Sequence, residues 1–158
     1  MPSEPSPPPT YAERLLPPWP VWAFMASIVV GVVAAVLPLV PPAVAPLLLL
    51  LGLASGGAAL YAWSGRVSVT GGELRAGRAH IPVTLLDHPQ PLLAEPARRR
   101  LGAEFDPRAY HFVRGWIRTG LVVDVRDAVD PTPYWYVSTR HPERLAAAIE
   151  AARRGAAP

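Results

Sequence analysis

The sequence contains no cysteine, which excludes disulfides, thiolate zinc sites and cysteine nucleophiles. It contains no lysine either: all 15 basic residues are arginine. A Schiff base and a lysine-bearing P-loop are therefore excluded. Charge as a whole is scarce, 17% of 158 residues, against roughly 25% in ordinary soluble domains. The deficit is concentrated in one place. From Leu15 to Gly65 there is no Asp, Glu, Lys, Arg or His over 51 consecutive residues. A plain soluble enzyme does not have such a stretch. Disorder throughout is excluded by the 51% apolar content. Proline is abundant at 21 residues, and twelve of these fall at or before Pro46.

The charge-free stretch divides into two apolar runs. Trp19 to Val40 would span about 33 Å as a helix, close to the roughly 30 Å hydrocarbon core of a bilayer. Ala43 to Trp63 is equally long, and Pro38, Pro41, Pro42 and Pro46 rule out one continuous helix. Neither run carries the polar stripe of a soluble core helix. The expectation is a transmembrane helical hairpin, residues 19–40 and 43–63. Ala43-Val44-Ala45 resembles a signal-peptide cleavage site, but the first run is longer than a signal core and a second span follows at once. Arg14 precedes the hairpin, Arg66, Arg75 and Arg78 follow it, and the connecting turn is uncharged. The positive-inside rule then places both termini in the cytoplasm of a two-pass plasma-membrane protein. Trp19, Trp22, Tyr61 and Trp63 would form an aromatic belt at one interface. Gly52-Leu-Ala-Ser-Gly56 is a GxxxG match that suits packing within the hairpin ahead of homodimerisation through the helices. No ionisable residue lies within the spans, which argues against an autonomous transporter.

Around the hairpin, residues 1–18 read as a disordered Pro-rich tail and an amphipathic juxtamembrane piece, Tyr11 to Leu16. Residues 66–154 have ordinary charge density and read as a folded domain, and 155–158 as a tail. Arg66 to Thr70, Gly71-Gly72 and Glu73 to Ala76 form a hairpin signal. His80 to Leu86 is a third strand, demoted to an edge by Pro82. A helix is expected over Ala94 to Leu101, ending at Gly102, with strands at Tyr110 to Val113, Ile117 to Arg126 and Tyr134 to Thr139. The last element is an amphipathic helix from Pro142, with Leu145, Ala148, Ile149 and Ala152 as its stripe and Gly155 as its stop. The fold class is thus an α+β membrane protein. A small antiparallel β domain, a barrel or sandwich of pleckstrin-homology (PH)-like order, follows the hairpin and is capped by a C-terminal helix.

Three stretches also resemble a known family. Tyr11-Ala-Glu-Arg-Leu, Arg114-Gly-Trp-Ile-Arg and above all Asp130-Pro-Thr-Pro-Tyr-Trp-Tyr-Val-Ser-Thr-Arg-His-Pro-Glu-Arg-Leu are similar to the actinobacterial membrane proteins grouped as DUF3093. The resemblance covers roughly Tyr11 to Ala152. It implies a two-span membrane protein with a cytoplasmic domain and brings no established activity and no catalytic residues. Pro17-Pro18-Trp19-Pro20-Val-Trp departs from the denser tryptophan run expected of that family.

No catalytic constellation emerges. Asp124, Asp127 and Asp130 recur every third residue, but Asp130-Pro131 is a turn starter and the set lacks the glycine and extra oxygens of a calcium loop. His80, His88, His111 and His141 show no metal-ligand spacing. Asp130, Pro131, Pro133, Tyr134, Trp135, Ser138, Thr139 and Pro142 read as a structural motif. The residues assigned to lipid or partner binding are Arg98, Arg99, Arg100, Arg114, Trp116, Arg118 and Arg140. For each of these a bland reading stands beside the functional one: a solvated helix face for the arginine run, a barrel core with stacked arginines for the aromatics. The expected function is a non-enzymatic, membrane-anchored binding or scaffold module whose partners are membrane lipids and an unknown protein. No cofactor, metal or nucleic acid is expected. The alternatives are an accessory subunit of a larger membrane complex and a small membrane-bound, metal-assisted enzyme.

Overall fold

A computed structural model of the chain describes residues 10–127 and 129–156. Of the tail expected over residues 1–10, only Thr10 is described, its N–H donating to Val69 O at 3.0 Å; residues 1–9 and the last two residues lie outside that range. The chain divides into two compact units, one made of the chain up to Leu15 together with everything from Gly65 onward, the other of Leu16–Ser64.

The second unit is an apolar helical hairpin. Helix α1 runs Trp19–Val36 and continues as a 3-10 turn, Leu37–Leu39. Another 3-10 turn, Pro42–Val44, leads into α2, Ala45–Trp63. The first helix stops short of the expected Val40 because Pro38 has no N–H to donate and its ring crowds the preceding turn. Pro20 and Pro46 sit in the first turns, where a missing N–H costs nothing. Both segments are long and apolar enough to cross a membrane, and almost none of either is buried. Gly52 and Gly56 face α1. A Cβ at Gly52 would stand 2.6 Å from Val29 Cγ1, and one at Gly56 2.6 Å from Met25 Sδ. The GxxxG glycines therefore bring the two helices together within the hairpin.

The first unit holds two four-stranded sheets. Sheet one is an antiparallel meander of β1 (Tyr11–Arg14), β2 (Arg66–Thr70), β3 (Glu73–Ala76) and β4 (Ala79–Pro82), in that order. The segment expected to be an amphipathic approach to the bilayer is thus an edge strand. It pairs with β2 from Tyr11↔Val69 to Arg14↔Arg66. Its alternation buries Tyr11 and leaves Ala12 exposed, the pattern of a half-buried strand. Gly71 and Gly72 turn β2 into β3 with φ of 58° and 77°, the left-handed pair a tight hairpin requires.

Sheet two has the order β5 (Leu86–Leu92), β7 (Gly120–Val125), β8 (Tyr134–Ser138), β6 (Tyr110–Phe112). It is mixed: β6 runs parallel to β8, with Tyr110↔Trp135 and Phe112↔Val137. This corrects the expectation of a purely antiparallel domain. The strand expected over His80 to Leu86 splits into β4, a 3-10 turn at Val83–Leu85, and the start of β5. β5 contains Pro89 and Pro91 and survives because it lies on the sheet edge. Its register shifts between Asp87 and Gln90, and His88 takes a φ of 46°.

Helix α3 (Ala94–Leu101) ends at Gly102 as expected, and α4 runs Pro142–Ala156, past Gly155. The main core lies between the sheets and α4, with Leu15, Val67, Leu74, Leu121, Val137 and Ile149 completely or almost completely shielded. A second, smaller cluster sits on the outer face of sheet two: Ala97, Ala109, Val122, Tyr134 and Tyr136, with Leu92 and Leu101. Sheet two is thereby covered on both faces, and Val122 on its outer face is buried.

An ion cluster fixes the end of α4 to sheet two. Arg153 Nη1 reaches Asp87 Oδ1 at 3.0 Å and Arg126 Nη2 reaches Asp87 Oδ2 at 2.7 Å. Burial pushes the Asp87 carboxyl up, but the His88 backbone N–H and the Arg126 and Arg153 guanidiniums outweigh it and hold the pKa below the ordinary value. A depressed folded-state pKa gives stability that is present above the unfolded value and lost as pH falls through the folded one. Thermal melts are expected to show a falling melting temperature below about pH 4, and Asp87→Asn is expected to remove part of that fall. An unchanged acid limb in the variant would contradict the role of Asp87.

Candidate functional site

The arginine run does not form one patch. Successive helical residues point about 100° apart, and Arg98, Arg99 and Arg100 diverge accordingly. Arg98 is exposed and donates to Glu95 Oε1 at 3.1 Å. Arg99 lines a small surface pocket of about 130 Å³ with Pro96 and Gln90, which Arg100 and Glu104 also border. Arg100 turns inward, its guanidinium carbon 4.3 Å from the centre of the Tyr134 ring and Nη1 3.6 Å from Glu104.

Arg98, Arg114 and Arg118, though, do meet. They line an open groove of about 600 Å³ between α3 and the connection from β6 to β7. Ala97 and Leu101 form one wall, Val113 and Ile117 the other, and Tyr136 of β8 lies at the floor. Arg114 is held firmly. Its guanidinium stacks on Phe112 at 4.5 Å, Nη1 donates to Val113 O at 2.9 Å, and its backbone N–H donates to Ser138 Oγ at 3.1 Å. Arg118 makes no hydrogen bond or ion pair among the described residues. Among the described residues, Glu95 is the only carboxylate lining the groove and no histidine does so. The groove therefore offers three guanidiniums and one carboxylate on apolar walls.

The remaining predicted residues lie elsewhere. Trp116 is half-buried against the main core and donates Nε1–H to Leu15 O at 3.3 Å. Trp135 packs on Tyr110 at 4.3 Å in the core. Asp130 caps its own turn, accepting from Thr132 N–H at 2.9 Å and Thr132 Oγ1–H at 2.6 Å, and Pro131 and Pro133 continue that loop. Asp127 does the same for Val129 N–H at 2.9 Å. Among the described residues no three His, Asp or Glu side chains are grouped to hold a metal ion.

The chain belongs to the DUF3093 family. The family model, described as a protein of unknown function, matches residues 10–149. No curated protein and no solved structure matches the chain. The segment by which the sequence resembles DUF3093 most, Asp130 to Leu145, has a structural reason to be where it is. It runs from a self-capped turn through the central strand β8 into the start of α4.

That segment also meets the first strand of this DUF3093 chain through a residue the sequence reading missed, Glu13. The hydroxyls of Tyr11 and Thr139 both donate to Glu13 Oε2, at 2.7 and 2.6 Å. The Arg140 backbone N–H donates to Oε1 at 3.2 Å, and the Arg140 guanidinium lies 3.7 Å away. His141 N–H donates to Thr139 Oγ1 at 3.1 Å, and Pro142 then opens α4. Burial pushes the Tyr11 hydroxyl well above its ordinary pKa and the Glu13 charge raises it further, so Tyr11 remains a donor. The only sequence signal for this cluster is the i, i+2 spacing of Tyr11 and Glu13, which puts both on one face of a strand. Its partners lie more than 120 residues away. Arg140, expected to bind a lipid or partner, lies beside Glu13 with its side chain partly exposed.

Glu13→Ala removes the acceptor shared by two hydroxyls and a backbone N–H, and leaves the Tyr11 and Thr139 hydroxyls only each other, at 2.9 Å. A loss of about 1–3 kcal/mol in unfolding free energy is expected, read by denaturation of the full chain in neutral detergent. Glu13→Gln, which keeps an acceptor oxygen, is expected to lose less. Wild-type stability in Glu13→Ala would contradict this reading.

Proposed function

We propose that this DUF3093 protein is a membrane-anchored, non-enzymatic binding module on the inner face of the plasma membrane. The carrying observation is that two uncovered apolar helices of spanning length are inserted between two strands that pair with each other. Side chains such as Trp19, Phe24, Leu39 and Leu50 are exposed along the hairpin, an arrangement that water penalises and a bilayer rewards. Because Arg14 and Arg66 sit opposite each other across β1 and β2, both ends of the hairpin belong on one side of the membrane. The arginines around them and the uncharged turn support the cytoplasmic side. The order of strands and a closing helix supports a PH-like reading of the domain, a fold analogy that carries no ligand with it.

A binding role is favoured over metal-assisted catalysis by the engagement of Asp127 and Asp130 in their own turns. The accessory-subunit reading rests on one observation, a shallow apolar groove of about 400 Å³ along the hairpin, lined by residues such as Ile28, Val32 and Leu48. Replacing both spans with an unrelated hairpin separates the two: a binding module keeps its function and an accessory subunit loses it.

The protein is expected to stay in the membrane fraction through an alkaline carbonate wash and to leave it in detergent. A C-terminal reporter is expected to be active only in the cytoplasm. Release by carbonate, or a reporter active only outside the membrane, would overturn the proposal.

A further inference from the structure

Five buried side-chain polar atoms among the described residues have no hydrogen-bond partner: Arg100 Nε, His111 Nε2, Arg114 Nε and the hydroxyls of Tyr134 and Tyr136. Folded proteins satisfy the large majority of such atoms, so a cluster of exceptions calls for a cause. Two of the five, those of Arg114 and Tyr136, belong to residues lining the groove beside α3. Tyr136 is completely shielded from solvent, and the space for its hydroxyl exists only because residue 120 is glycine: a Cβ there would stand 2.6 Å from the oxygen. Ser138 Oγ, which accepts the Arg114 backbone N–H, still has a proton and a lone pair beside the Tyr136 hydroxyl, so the donor left over at the groove is Arg114 Nε. Arg114 Nε is a donor, and Arg98 and Arg118 bring two more guanidiniums to the same groove, against one carboxylate among the described residues, that of Glu95.

We propose that this groove binds a phosphate-bearing ligand. Arg114 and Arg118 supply guanidinium N–H donors, which suit phosphate oxygens. About 600 Å³ is ample for a phosphate ester with a small polar group. The ligand is either a phospholipid headgroup or a soluble phosphate ester. The inference rests on the binding-module reading and gives that module its ligand chemistry.

The test is calorimetric titration of the purified full chain in neutral detergent with two probes, glycerol 3-phosphate and a short-chain phosphatidylglycerol. Saturable binding of at least one is expected. Binding of phosphatidylglycerol alone assigns a lipid, and equal binding of both assigns a soluble ester. Arg118→Gln is expected to weaken binding about tenfold, the scale of one charge-assisted contact. Arg98→Gln, exposed on α3 and lining the same groove, is expected to weaken it severalfold without lowering the melting temperature. Arg75→Gln, on the outer face of sheet one, is expected to bind as wild type does. No binding of either probe overturns the proposal, as does unchanged affinity in both groove variants or an equal loss in Arg75→Gln. A carbonate-resistant protein that binds neither probe refutes this inference alone. A protein that washes off the membrane yet binds saturably refutes the anchor and keeps the groove.

Discussion

The backbone N–H of Leu15 donates to the carbonyl of Gly65 at 2.8 Å. That single bond closes the base of a charge-free excursion of 49 residues, Leu16 to Ser64, and continues the β1–β2 ladder to its end. The rest of the protein depends on that closure. Sheet one would otherwise lose an edge strand, and with it Tyr11 and Leu15 from the main core. The two ends of the helical segment would also lose their common origin. An antiparallel pair is the simplest way to return a chain to its starting point, and here the returning loop happens to be a pair of apolar helices.

From this base the packing follows in order. β1 brings Glu13 to the junction of β8 and α4, where Tyr11, Thr139 and Arg140 gather round its carboxylate. β8 is buried along its whole length, with Trp135 and Val137 in the main core and Tyr134 and Tyr136 on the other face. α4 closes the core with Leu145 and Ile149 and is tied at its far end to Asp87. α3 covers only part of the second face of sheet two, and the remainder is the arginine-lined groove.

Much of this was legible in the sequence because it rests on local patterns. The two apolar runs, the glycine pair at 71 and 72, and the stripe of α4 each follow from one periodicity or one turn chemistry. What escaped depends on contacts far apart along the chain. Four residues, Tyr11 to Arg14, are too few to distinguish a strand from an amphipathic approach, and only pairing with β2 decides it. Pro89 and Pro91 masked β5, since proline is admissible there only at an edge that the sequence does not mark. The parallel pairing of β6 is a matter of topology, which alternation does not encode. The consecutive arginines read as one charged face, whereas helical rotation sends Arg100 onto Tyr134 and leaves Arg98 with the distant Arg114 and Arg118.

The most direct test of the account is a cross-link at the base of the hairpin. Because Leu15 and Gly65 form a hydrogen-bonded pair, Arg14 and Arg66 form the closer, non-hydrogen-bonded pair next to it. The native chain has no cysteine, so Arg14→Cys combined with Arg66→Cys gives an unambiguous signal. In isolated membranes under mild oxidation this pair is predicted to form a disulfide readily, while Arg14→Cys with Arg78→Cys does not. If the first pair stays reduced, or the two pairs oxidise alike, the two ends of the hairpin are not joined in one sheet and the account is wrong.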